Sequence, residues 1–148
     1  MIAGRPWLIA AGWMSLAASL VHIAIIFGGP DWYRFFGAGE GMAQAAERGD
    51  ALPTLVTLII VGILAAWAIF AFGAAGVFRR LPLTRVALFA IAFVLLARAA
   101  LGALPSLWAP EQWPVFAFWS SAICLIMGAS FAIGTYQAWP HLSQRNAS

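Results

Sequence analysis

Lysine is absent from this 148-residue chain, only five residues are acidic, and there is a single cysteine. Each scarcity removes a class of protein. One thiol, Cys124 in an apolar run, cannot form an intrachain disulfide, a CxxC redox pair or a thiolate metal site. The formal charge of +3 comes from eight scattered arginines with no dense basic patch, so nucleic acid is excluded as a partner class. Charged residues make up 9% of the chain against 64% hydrophobic, at a mean hydropathy of +0.91. A water-soluble domain of this length still exposes roughly a third of its unfolded-chain surface, and that much apolar surface cannot be hidden in it. Lipid must therefore be the solvent for much of the exterior.

What is abundant is long apolar sequence. Four segments, about 6–27, 53–78, 86–104 and 114–139, reach the roughly 20 residues a helix needs to cross a hydrocarbon core of about 30 Å. Pro6, Pro53 and Pro114 fall where a first helical turn tolerates a missing N–H, and Asp50 is placed to cap the second span. Gly28-Gly29-Pro30 stops the first span, Leu81-Pro82 separates the second from the third, and Pro105 and Pro140 follow the last two. Backbone groups in lipid must be satisfied within the segment, and the alternation of a β-barrel is missing. The expectation is one all-α domain over 1–148: an integral membrane four-helix bundle with a structured outer loop between helices one and two.

Arg5 before an apolar run, with Ala17-Ala18-Ser19 further on, resembles a signal peptide, but the run continues to a full span and reads as a membrane anchor. With four spans, both termini share a side with the 79–85 loop, and that side collects Arg5, Arg79, Arg80, Arg85 and Arg145. The other side holds Arg34, Arg48 and all five acids, Asp31, Glu40, Glu47, Asp50 and Glu111. Basic residues in short loops stay inside, so both termini are expected to be cytoplasmic.

The outer loop 28–52 is long enough for structure of its own. Trp32, Phe35 and Phe36 at i, i+3, i+4 give a short helix after Pro30 an apolar stripe suited to lying on the interface or on the bundle's mouth. Gly37 and Gly39 break it, and Glu40 to Arg48 predicts a second short helix ended by Gly49. The other outer loop, 105–113, carries Trp108 and Trp113 as headgroup-level anchors, and Tyr136 and Trp139 suit the inner belt.

Ionisable groups inside spans are costly and mark sites by default. His22 lies six residues before Gly28 and Arg98 six before Leu104, which puts both about 9 Å inside the outer ends of their helices. Thr54, Thr57, Ser120 and Ser121 sit in the same outer third. This convergence predicts an outward-facing pocket. Arg98 would bind a carboxylate, phosphate or carbonyl, and His22 would accept or relay a proton. Glu40 or Asp31 would descend as counter-ion, and Trp32, Tyr33, Trp67 and Trp119 would supply flat walls. The plainer alternative has Arg98 snorkelling to headgroups, His22 bonded to a helix carbonyl and the hydroxyls bonded to their own backbone.

Gly73-Ala74-Ala75-Gly76, Gly62 with Ala66 and Gly128 with Ala132 are small-residue spacings that suit close helix packing. Small multidrug transporters need a membrane-embedded glutamate in helix one, vitamin K epoxide reductases need cysteine pairs, and b-type haem proteins need paired intramembrane histidines. None of these is present. No cofactor motif is found. GGPDWYRFFGAGE at 28–40 and RRLPLTR at 79–85, within a four-span frame covering nearly the whole chain, resemble a group of small bacterial inner-membrane proteins of uncharacterised activity. The resemblance implies a bacterial plasma membrane and carries no reaction with it.

The functional expectation is a non-enzymatic membrane protein that binds a lipid-like or small amphipathic molecule. The alternatives are an enzyme acting on a lipid or quinone-like substrate, with His22 or Glu40 as acid/base, and an accessory subunit that packs against a second copy or another membrane protein.

Overall fold

A computed structural model describes residues 2–107 and 114–143, and among them every regular element is a helix. The helices are α1 (Arg5–Gly28), α2 (Pro30–Phe35), α3 (Glu40–Glu47), α4 (Leu52–Ala74), α5 (Thr84–Ala103) and α6 (Val115–Ser143), with a short 3-10 turn at Leu104–Leu107. Four of them, α1, α4, α5 and α6, are long and apolar enough to cross a membrane. Trp108, Glu111, Trp113 and Arg145 lie outside the described residues.

Local chemistry sets the ends. Helix α4 stops at Ala74, four residues short of the expected 78, because Gly76 takes a left-handed φ of 74°. The Gly76 and Val77 amides turn back onto the Gly73 and Phe72 carbonyls. A residue without Cβ adopts that conformation at no steric cost, and the paired back-bonds satisfy the carbonyls a helix end leaves open. Arg5 Nε donates to the next orphan, the Ala75 carbonyl, at 3.1 Å. The same device ends α2 at Gly37 (φ 70°) and α3 at Gly49 (φ 75°). Pro140 does not end α6, which continues to Ser143. Only the last turn follows that proline, and there Ser143 Oγ donates to the Trp139 carbonyl. Asp50 does not cap α4 through a side-chain bond. It accepts from Arg48 at 3.0 and 3.3 Å instead.

The chain forms two compact units, Met1–Ser15 with Ala66–Ser148, and Leu16–Ala65. The first contains the start of α1, the end of α4, and α5 and α6, around a core in which Leu8, Leu88 and Phe131 are fully buried among small residues such as Ala71, Ala74 and Ala138. Glycines set the closest approaches. A Cβ on Gly134 of α6 would lie 2.8 Å from Leu8 Cγ of α1, one on Gly128 would lie 2.9 Å from Leu96 of α5, and one on Gly12 would lie 2.6 Å from Phe72 of α4. Where lipid is the solvent there is no apolar driving force between helices, and backbone proximity of this kind, with the dispersion contact it allows, is what holds such helices together. Cys124 is half-buried against this core.

The second unit contains the end of α1, α2, α3 and the start of α4. Ser19 Oγ of α1 donates to the Val61 carbonyl of α4 at 3.1 Å. The anchor of α2 is Tyr33, 3% exposed against Ile25 and Ala43, and Phe36 of the aromatic stripe packs against the same cluster. Phe35 is 74% exposed, and Trp32 tilts against Phe36 with ring centroids 5.7 Å apart. Gly28 leaves the space into which the Trp32 ring folds back.

Candidate functional site

The candidate residues fall into two sets, one in each unit. In the first unit, Arg98 of α5 reaches α6, where its Nη2 donates to Ser120 Oγ at 3.1 Å. The space that a side chain on Gly102 would fill is taken from two sides, by Arg98 Nη1 and by Ser121 Oγ. Ser121 is 6% exposed and its Oγ has no hydrogen-bond partner. Four residues separate Arg98 from Gly102, one helical turn, so the guanidinium lies along its own helix and still meets α6. Arg98 remains exposed, and the neighbouring large side chains Leu101 and Trp119 are exposed too. The result is an open polar niche: a fixed cation, one serine oxygen it holds, and a second serine hydroxyl with spare capacity. It can take an oxygen-rich anion or a carbonyl, since a guanidinium and a hydroxyl both donate.

Of the two expected wall residues in this unit, one lies at the niche, next to Ser120, and one does not. Trp67 packs against the buried core, and Trp119 is 60% exposed, edge-on to Phe118 at 5.4 Å between ring centroids.

In the second unit, His22 Nδ1 lies 2.8 Å from the Ala18 carbonyl one turn earlier. That carbonyl can only accept, so Nδ1 carries the proton and Nε2 is left as the basic nitrogen. Thr57, 4% exposed, donates to the Pro53 carbonyl at 2.7 Å, and its oxygen lies 3.3 Å from the Tyr33 hydroxyl. Tyr33 and Thr57 thus fasten α2 to α4 within the unit.

Glu40, the expected counter-ion, is engaged by Arg34. Nε donates to Oε2 at 2.9 Å and Nη2 to Oε1 at 2.8 Å, while Nη2 also reaches Glu47 Oε1 at 2.7 Å. Asp31 stands 3.4 Å from Nη1, and Gln44 donates to Glu40 at 3.2 Å. Arg34 is therefore the hub that ties α2 to α3. The sequence carries a signal for this: Glu40 and Glu47 are seven residues apart, two turns on one face of α3, and Asp31 precedes Arg34 by three. Hydrogen bonding to Arg34 holds the Glu40 carboxyl below the usual range, and the two glutamates push the Arg34 guanidinium upward.

A pH dependence follows. Because the folded-state pKa of Glu40 lies below its unfolded value, its contribution to holding α2 on α3 is complete above the ordinary carboxylate range and is lost as pH falls through the depressed value. Amide hydrogen exchange across residues 31–48, corrected for intrinsic rates, is expected to stay constant from about pH 6 to 9 and to quicken below about pH 4. Arg34→Gln should raise exchange at neutral pH and remove most of that step. A step of equal size in the variant would contradict the assignment.

A feature that the sequence reading did not locate lies at the opposite end of α5 from Arg98. A cavity of about 530 Å³ is bounded by the 80–86 stretch and by Trp139 and Leu142 of α6. Arg85 sits 4.1 Å above the Trp139 ring, and Arg80 Nη1 donates to the His141 carbonyl at 3.0 Å. The cue is the run RRLPLTR, which by itself carries a topology signal and a resemblance but no sign of a cavity. Among the described residues, no group of three or more histidine, cysteine or acidic side chains could hold a metal ion. The sequence matches no protein-family model, and neither a curated protein nor a solved structure matches it.

Proposed function

We propose that this chain is a four-helix bundle of the bacterial inner membrane, with both termini cytoplasmic, that binds a lipid-like or small amphipathic molecule at the outward-facing end of α5 and α6. The observation that carries this reading is the Arg98 niche. A permanent cation within an otherwise apolar span is expensive unless it is used or reaches the interface. Here it holds Ser120, borders the unpartnered Ser121 hydroxyl and is exposed, as are Leu101 and Trp119. An amphipathic molecule would set its phosphate, carboxylate or carbonyl on Arg98 and its tail along Leu101 and Trp119. The orientation is supported by the bond from Arg5 to the Ala75 carbonyl, four residues before Arg79; it keeps the start of α1 beside the end of α4.

Binding is favoured over acid/base catalysis for a specific reason. Both Glu40 carboxylate oxygens are occupied by Arg34, and a carboxyl held below its usual range is a weak base near neutral pH. The test is native mass spectrometry of protein released from mild detergent. Arg98→Leu is expected to lower retention of co-purified lipid or amphiphile by about tenfold, the worth of a charge-assisted hydrogen bond, with helical circular dichroism unchanged. Arg98→Lys should retain part of it. Equal retention by wild type and Arg98→Leu would sink the proposal.

A further inference from the structure

The cavity beside the 79–85 loop has the makings of a second site, independent of the Arg98 niche. Two arginines, Arg80 and Arg85, line it together with Leu83, Val86, Phe89 and Trp139, and among the described residues no acidic side chain lines it. The sequence supplies no aspartate or glutamate from residue 51 to 110, or from 112 to its end, so this loop has no carboxylate neighbours along the chain. Arg85 is stacked on Trp139, and Arg80 is tied to the His141 carbonyl. Both guanidinium groups are thereby positioned at the cavity. Stacking occupies the face of the Arg85 guanidinium and leaves the N–H donors at its edge available, since a guanidinium has five.

The backbone points the same way. Helix α5 begins beside the cavity, and its N-cap residue, Leu83, makes no side-chain cap. The N–H groups of the first turn, at Thr84, Arg85 and Val86, have no acceptor within the helix, and the positive end of the helix dipole lies there. Leu83 holds φ 59°, the one left-handed non-glycine among the described residues, and its side chain is 77% exposed. Next to this basic floor the lining turns apolar and open, with Val86 65% and Phe89 67% exposed. One mouth thus combines strong donors for an anion with a greasy wall running down α5.

We infer that this cavity binds an anionic phospholipid: the phosphate sits between Arg80, Arg85 and the amino end of α5, and an acyl chain lies along Val86 and Phe89. Basic pockets at helix ends recognise such headgroups, and an apolar wall of this kind distinguishes a lipid from a free anion. Inorganic phosphate would satisfy the arginines but leave Leu83, Val86 and Phe89 bare.

The test uses the full chain in mild detergent, titrated with dioleoylphosphatidylglycerol, dioleoylphosphatidylcholine or inorganic phosphate and read by native mass spectrometry. Wild type should retain phosphatidylglycerol about tenfold better than phosphatidylcholine, and millimolar phosphate should not displace it. Arg80→Ala with Arg85→Ala should abolish the preference. Arg79→Ala, which removes the same kind of charge from a neighbour outside the lining, should leave it within about twofold. Arg85→Gln keeps a stacking, hydrogen-bonding side chain and guards against loss of fold in the double variant. It should lose most of the preference with an unchanged circular dichroism spectrum. Equal retention of the two lipids, displacement by phosphate, or a loss in Arg79→Ala as large as in Arg85→Gln would each overturn the inference. Because Arg98→Leu leaves this cavity intact, it should keep the phosphatidylglycerol preference, which separates failure of this site from failure of the Arg98 niche.

Discussion

Phe131→Ala is expected to destabilise the protein by about 2–3 kcal/mol, measured by equilibrium unfolding in mixed micelles with circular dichroism as the readout. Phe131 is fully buried in the core it shares with Leu8, Leu88 and Met127. In a water-soluble protein the loss would contain two parts: the transfer of a phenyl ring out of water, and the cavity left behind. For a helix that remains in lipid or detergent when its tertiary contacts break, the transfer part largely vanishes, because the ring never reaches water. The cavity part survives. At roughly 24 cal/mol per Å³, an unfilled space of about 100 Å³ gives about 2.4 kcal/mol, within the stated range. Phe93→Ala is the matched control. Phe93 is 64% exposed on α5, where detergent or lipid replaces the ring, and its loss should stay within about 0.5 kcal/mol. Similar losses in the two variants would mean that the Phe131 core is not formed.

Gly134→Val should be at least as damaging, by the opposite mechanism. The Cβ that any substitution adds would lie 2.8 Å from Leu8 Cγ and 3.1 Å from the Leu8 backbone nitrogen. Leu8 is fully buried and cannot swing aside, and a backbone atom cannot retreat without moving its helix. Nearby, Gly4 holds φ 78°, and a Cβ there would stand 2.5 Å from the Gly134 carbonyl oxygen, so the two backbones are already in contact on both sides of the crossing. Relief requires α1 and α6 to separate. Overpacking of this kind costs about 1–3 kcal/mol, and more where packing is the main source of association. The same unfolding measurement on Gly62→Val supplies the contrast. A Cβ on Gly62 meets nothing within 4 Å, and valine there should be neutral or slightly stabilising. A neutral Gly134→Val would show that this crossing does not hold the first unit together.

These glycines show how far the sequence could be read. The four apolar helices and the two short helices near Pro30–Phe35 and Glu40–Glu47 are legible because length, hydropathy, proline and glycine act locally. Packing partners are not local. Gly128, with its small neighbour Ala132, does receive Leu96, but Gly62, with the same spacing to Ala66, faces open space, and Gly73–Gly76 ends α4. Gly12 makes an equally close contact with no small residue four positions away, whereas Gly134 sits in the run Ser130, Gly134, Ala138 at four-residue intervals. A small-residue spacing announces a groove on one helix; whether a neighbour fills it depends on the other helices.

The site divides in the same way. The depth of Arg98 and its kinship with Ser120 could be read from helical rise, since α5 and α6 are neighbours in the chain. The capture of Glu40 by Arg34 could not be read with certainty, because it depends on the fold of the 28–52 loop bringing α2 and α3 face to face. His22, level with Arg98 by residue count, spends its Nδ1 proton on Ala18. The alternative available to every intramembrane polar group, its own helix carbonyl four residues back, is always within reach and leaves no trace in the sequence.

Cys124 gives the molecule one further property. It is the single sulfur nucleophile of the chain, half-covered by the core that Phe131 and Leu8 define. A maleimide or spin-label reagent therefore has one attachment point, on the helix that carries Ser120, Ser121 and Trp139, and its labelling rate acts as a clock for how often α6 loosens from its neighbours.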